Sequence, residues 1–302
     1  MFVTRYLYCL IGMFLFSIIL IPDLFAEDRD NTFYKEVDIL KSAYPSVKFD
    51  TRFDEDKQDW MIIISSRGIE HKLYWAEGRY VSEEQWDTKE SYRRLLYRFP
   101  DSLPDPKTFS RNQKDRITQF SSPNNRANGP TTNTSLFDAI YDCHTRLDVE
   151  QHIRTIYFLG FNIRAHEGLK QPLDNVQKKL VLIAKGDKEV ADFIDELESG
   201  SSYSWRTIRD TSGKSFHSMG LAIDLLPIGW QGKVLYWNWE KNKGNSDWMA
   251  TPLSKRWIPP QKVIDIFESE GFIWGGYWPI WDNMHFEYRP ELLLWRDYLN
   301  KN

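Results

Sequence analysis

The chain has 302 residues, 41% of them hydrophobic, enough for one large or two modest domains with a substantial core. Its 39 basic residues against 43 acidic ones leave a formal net charge of -4. That balance offers no basic face to nucleic acid or an anionic membrane, and neither is an expected partner.

Residues 1–26 read as an export signal: Arg5 precedes an apolar stretch from Leu7 to Ile21, Pro22 follows, and Ala26 offers a cleavage point. The stretch is shorter than the roughly twenty residues that span a bilayer. Cleavage, an exported chain in the periplasm or cell envelope, and no stable membrane insertion are expected. Cys9 leaves with the signal, so Cys143 remains without a disulfide partner and reads as a small buried apolar residue.

Asn31 to Ala43 has helical spacing, and Val47–Phe53, Trp60–Ser65 and Glu70–Trp75 read as short strands between polar turns, giving a small α+β module over residues 27–100. Pro104, Pro106, Pro123 and Pro130, set among Ser, Asn and Thr, mark residues 101–133 as a linker or long loop, with a domain boundary near residue 130. A second domain, 134–302, opens with a helical stretch from Leu136 to Leu147 and a strand from Arg154 to Phe161. Leu173, Val176, Leu180 and Ile183 recur at helical spacing, as do Val190, Phe193, Ile194 and Leu197. Leu221 to Leu226 is an apolar run of strand length. Pro259 and Pro260 open a further helix that Gly271 closes, and Phe272 to Trp274 continues as a strand.

Two strings in this second half carry chemistry: Ser215-Phe216-His217-Ser218-Met219-Gly220-Leu221-Ala222-Ile223-Asp224, and Asp282-Asn283-Met284-His285-Phe286-Glu287. A borderline metal ion that activates water needs three protein ligands drawn from imidazole and carboxylate, with one position left open. His217, Asp224 and His285 supply that set. Asp282, three residues before His285, faces the same place across a turn and is the candidate general base, a role worth roughly two to four powers of ten in rate. Glu287 either hydrogen-bonds a ligand histidine or is an exposed strand carboxylate. Ser215 has no base partner that would make it a nucleophile and reads as a hydroxyl that either supports a ligand residue or hydrogen-bonds substrate. Trp274, Tyr277, Trp278 and Trp281 lie just before Asp282 and are candidate cleft walls, Trp278 and Trp281 above all as substrate contacts. His71, His144, His152 and His166 have no ligand spacing among themselves.

With the Gly271-Phe272-Ile273-Trp274-Gly275-Gly276 run, these strings resemble the zinc D-alanyl-D-alanine carboxypeptidases of the VanY type and the related endolysin-type L-alanyl-D-glutamate peptidases. The resemblance covers roughly residues 150 to 290 and is densest from Trp205 onward. It implies an α+β zinc peptidase fold, helices packed on an antiparallel sheet, preceded here by the small α+β module. It further implies one zinc ion held by His217, Asp224 and His285, with Asp282 as catalytic acid and base. An arginine that stabilises the oxyanion is also implied. Arg206 matches it best, and Arg164, in Asn162-Ile163-Arg164-Ala165-His166, is the alternative. The expected activity is hydrolysis of peptidoglycan stem peptides, by D-alanyl-D-alanine carboxypeptidase action or, alternatively, L-alanyl-D-glutamate endopeptidase action. From another class, a non-catalytic cell-wall-binding protein would keep the same fold.

Overall fold

The computed structural model describes residues 22–211 and 213–301, with side chains from Arg29 onward. Residues 1–21, most of the expected export segment, lie outside this description. Among the described residues no helix is long and apolar enough to cross a membrane.

Helix α1 (Pro22–Ala43) turns Phe33, Val37 and Leu40 inward at helical spacing. Strands β1 (Lys48–Asp54), β2 (Asp59–Ser66) and β3 (Ile69–Tyr74) form an antiparallel sheet with β2 in the middle, where Ile62 and Ile64 share the buried face. The buried carboxylate of Glu36 on α1 ties this part together, accepting from Trp75 Nε1 (2.8 Å), Tyr80 Oη (3.0 Å) and Arg94 Nη2 (2.9 Å).

The segment expected to be a linker is folded. Strand β4 (Tyr92–Arg93) pairs in parallel with β5 (Thr131–Thr132), and between them run α2 (Arg111–Phe120) and α3 (Pro123–Asn128). Neither helix buries a residue. Their ends are fixed instead by caps, a Ser110–Gln113 capping box on α2 and the Ser122 hydroxyl on α3. Nor does the core break near residue 130, because one continuous apolar cluster takes in Phe33, Leu40 and Phe99 together with Phe137, Phe158 and Phe267.

Where one helix was expected over Leu136 to Leu147 there are two, α4 (Ser135–Tyr141) and α5 (Arg146–His152). Asp142 adopts a left-handed conformation, φ 55°, that ends the first, and Thr145 caps the second. The single strand expected from Arg154 to Phe161 is a hairpin, β6 (Ile153–Phe158) and β7 (Phe161–His166), turning at Leu159 and Gly160 with φ of 46° and 92°. Helices α6 (Lys170–Ala184) and α7 (Lys188–Asp195) follow. They bury Leu173, Val176 and Leu180, then Val190 and Phe193.

Strand β8 (Leu197–Ser201) was not foreseen. With β9 (Ala222–Pro227) and, after helices α8 (Trp237–Asn242) and α9 (Gln261–Ser269), strands β10 (Phe272–Trp274) and β11 (His285–Tyr288), it forms a four-stranded antiparallel sheet in the order β10-β11-β9-β8. Helix α10 (Pro290–Lys301) returns against α1, where Tyr44 Oη donates to Glu291 Oε2 at 2.6 Å. The fold is α+β with antiparallel sheets, as the sequence leads one to expect.

Candidate metal and catalytic site

The sheet register sets the site. On neighbouring strands β9 and β11, Asp224 stands directly opposite His285. His217 arrives from a short 3-10 turn, Phe216–Met219, whose first residue follows Ser215; the Ser215 hydroxyl accepts from the His217 amide at 3.3 Å. Gly220 ends that turn with φ 67°, and a Cβ there would stand 2.6 Å from the backbone nitrogen of His166. Only glycine fits, on both counts.

His285 Nδ1 lies 2.9 Å from Asp224 Oδ1, and His217 Nε2 lies 3.2 Å from both of those atoms. One donor atom from each of the three residues therefore falls within 4.8 Å of the others. The far side of each ring is held. His217 Nδ1 donates to the Ser202 carbonyl at 2.6 Å, and His285 Nε2 donates to Glu287 Oε1 at 3.1 Å. Each imidazole is thereby fixed in the tautomer that turns a lone pair to the common centre. Glu287 is thus a partner of a candidate ligand, resolving the alternative left by the sequence. Residues 285 and 287 share a strand face by the period of two, which was the available signal.

The charges agree with this arrangement. Burial works to raise the Asp224 carboxyl, yet His217 and His285 hold it far below the ordinary carboxylate range. Burial lowers the affinity of His285 for a proton, but Asp224 and Glu287 outweigh it and raise the group well above its usual value. An environment that so favours positive charge between these groups favours a divalent cation in the same place.

Asp282 sits at the turn into β11. Its amide donates to the Gly275 carbonyl at 3.0 Å, and a Cβ on Gly275 would lie 2.7 Å from the Asp282 carbonyl, so the Trp-Gly-Gly run is what lets this turn close. Asp282 Oδ1 is buried without a hydrogen-bond partner. Burial pushes its carboxyl up to about 7, with Asp224 and Glu287 acting in the same direction and His285 and Arg206 against it. A native fold rarely leaves such an atom unsatisfied unless a ligand is meant to meet it.

The remaining expected residues divide. Arg206 lines the cleft with its guanidinium 3.9 Å from Asp224 Oδ2. Arg164 does not reach it: alternation along β7 turns Ile163 and Ala165 inward and Arg164 outward, where it lies over the Tyr203 ring at 5.3 Å. Ser215 lines the cleft, but its hydroxyl is engaged in capping the His217 turn. Trp278 faces the cleft and its ring lies 5.6 Å from that of His285. Trp281 is a correction. It is 1% exposed and packs with Trp237, Trp248 and Met249 beneath the Arg256 guanidinium, so it belongs to a small core and not to a substrate surface. Trp274 is likewise buried, donating to the Asn283 carbonyl at 2.9 Å. His166 is fully buried between the Tyr141 carbonyl and the Gly168 amide. Cys143 is buried, and burial pushes its thiol well up, which removes it from nucleophilic chemistry.

Two imidazoles and a carboxylate converging with their remote atoms tied, beside an orphaned carboxylate oxygen, fit a borderline divalent metal. The cleft over them has a volume of about 1500 Å³. Two regions match known families. Residues 36–97 match a domain of unknown function. No curated protein and no solved structure matches the chain. Residues 209–288, which contain His217, Asp224, Asp282 and His285, match the family described as D-alanyl-D-alanine carboxypeptidase, a match that supports a peptidase of the M15 type in this half of the chain.

Proposed function

We propose that the protein is an exported zinc metallopeptidase that hydrolyses peptidoglycan stem peptides in the manner of a D-alanyl-D-alanine carboxypeptidase. The observation that carries this reading is the meeting of His217 Nε2, Asp224 Oδ1 and His285 Nδ1 at 2.9–3.2 Å, beside an unpartnered Asp282 oxygen, inside the segment that matches that family. When bound by His217, Asp224 and His285, zinc supplies a Lewis acid that polarises the scissile carbonyl and makes water more acidic.

The chain's own groups do the rest. Asp282, its carboxyl raised to about 7, accepts a proton from the attacking water and returns it to the departing amine. Arg206, half exposed at the cleft edge, meets the negative charge that grows on the carbonyl oxygen. Trp278 forms a flat wall for the substrate backbone beside His285. Glu287 and the Ser202 carbonyl hold the two imidazoles in place throughout.

One observation favours L-alanyl-D-glutamate endopeptidase action as a second reading. The cleft, at about 1500 Å³, exceeds the roughly 300–1,000 Å³ of an ordinary small-ligand site, and a chain cleaved internally needs room on both sides of the bond. Digestion of defined muropeptides followed by mass spectrometry separates the two. Loss of a single alanine supports the carboxypeptidase, and a cut beside glutamate supports the endopeptidase. Intact muropeptides with zinc-loaded protein contradict both and leave the non-catalytic wall-binding protein.

A further inference from the structure

The cleft wall carries charge of both signs. Its acidic groups, Asp224, Asp282 and Glu287, all sit at the histidine end. The same wall also carries Arg93, Arg116, Arg126 and Arg209. Arg94 and Arg289 also line the cleft, but they are paired with Glu36 and Glu291. The other four have no carboxylate within ion-pair distance among the described residues.

Two of them are nonetheless positioned. Arg93 lies over the Phe120 ring at 4.8 Å, and Arg126 lies over Trp237 at 5.8 Å. Arg126 Nη2 donates to the Arg209 carbonyl at 2.6 Å, while its Nε is buried with no partner. A buried guanidinium N–H without an acceptor costs stability unless a ligand supplies one. Burial first, and then the neighbouring Arg126 guanidinium, lower the affinity of Arg93 for its proton, a cost that a bound anion would relieve. Arg93, Arg116 and Arg126 lie outside residues 209–288; Arg116 and Arg126 are on the segment that the sequence suggested was a linker, and Arg93 is on β4 before it.

We propose that Arg93, Arg116, Arg126 and Arg209 form an oxyanion subsite that binds a second carboxylate of the peptide substrate, apart from the bond that is cleaved. The forked donors of guanidinium match a carboxylate or a phosphate equally well. The carboxylate is favoured because the same cleft holds the candidate peptidase centre. This assignment rests on the peptidase reading only for the identity of the ligand.

The test is equilibrium binding to the full chain carrying Asp282→Asn, read by tryptophan fluorescence. The probes are a synthetic peptide with two free carboxylates, the same peptide amidated at both, and inorganic phosphate. Amidation is expected to weaken binding about ten- to a hundredfold, the scale of one or two charge-assisted hydrogen bonds. With Arg93→Gln and Arg126→Gln added, discrimination is expected to fall below about threefold, the residue of screened long-range attraction. Arg209→Gln, an exposed change that leaves the fold intact, is expected to reduce discrimination in the same direction.

If the substituted proteins separate acid from amide as well as the parent does, or if the parent does not bind the acidic peptide, the subsite is disproved. If phosphate binds the parent more tightly than the peptide and loses its affinity in the Gln variants, the carboxylate assignment is overturned in favour of a phosphate site. Binding needs no turnover. A parent enzyme that cleaves no muropeptide yet still discriminates acid from amide would sink the peptidase reading and leave the arginine subsite standing.

Discussion

His217 and His285 present different nitrogens to the common centre, Nε2 and Nδ1, because each uses the other one to hold its ring. The Glu287→Gln variant keeps a hydrogen-bond acceptor but removes the charge that strengthens it. We expect it to lower metal affinity about ten- to a hundredfold, the usual cost of losing such a support, as measured by competition with a chelator. Asp282→Asn should act differently, lowering turnover of a susceptible peptide by about two to four powers of ten while metal content stays at the parent level. A fall in metal content in that variant would instead make Asp282 a ligand. At this scale the sequence was informative for the convergence of His217, Asp224 and His285, because ligand chemistry restricts the residue types and the two strings bring them near in order. It was less informative for aromatic residues. Trp278 and Trp281 are three apart with the same side chain, and only the packing of Trp281 against Trp237 and Trp248 shows that one faces the cleft and the other a core.

At the scale of elements, α4, β7 and Gly220, which ends the Phe216–Met219 turn, meet at His166. Its Nε2 donates to the Tyr141 carbonyl (3.0 Å) and its Nδ1 accepts from the Gly168 amide (3.0 Å), so the neutral ring is fully satisfied and a second proton has no place. Burial first, then the nearby positive charges of His152 and Arg67, lower this group to about 4, against the hydrogen bond to Tyr141 and the Glu167 carboxylate. The folded value lies below the unfolded one of about 6.5, so the unfolded chain binds the proton more readily. The stabilisation is complete above pH 6.5 and is lost as pH falls from there toward 4. We expect about 3 kcal/mol of acid destabilisation from this residue in that window, and His166→Gln should flatten the pH dependence of the melting temperature there. A second expectation concerns α1 and α10. Glu291 is fully buried and pairs with Arg289, which is 3% exposed. Glu291→Ala leaves that guanidinium with only the more distant Glu287 carboxylate, 3.8 Å away, and should cost up to about 3–5 kcal/mol in denaturant unfolding. The elements missed from the sequence share a cause. Helix α2 buries no residue and so has no apolar stripe, although the Ser110–Gln113 capping box was there to be read. The β6–β7 hairpin turns at Leu-Gly, where the common signal for so tight a turn is Asn-Gly or Asp-Gly.

Over the whole molecule, the N-terminal residues share one core with the half that carries the candidate site. Phe33, Leu40 and Phe99 share one apolar cluster with Phe137, Phe158 and Phe267, and Tyr44 reaches across to Glu291. Composition could not reveal this, since a Pro- and Ser-rich stretch reads as a linker whether or not its two ends are pinned by β4 and β5. A chain cut to residues 134–302 is therefore expected to expose that apolar surface, bind a hydrophobic dye and lose a cooperative melting transition. A compact truncated form with an unchanged melt would restore the boundary near residue 130. The central claim is that His217, Asp224 and His285 hold one catalytic metal ion. Elemental analysis of the purified chain beside its His285→Ala variant tests it most directly: about one zinc per parent chain is expected, the stoichiometry of a single three-ligand site, with a clear loss of it in the variant, whereas a metal-free parent, or equal metal in both, would contradict it.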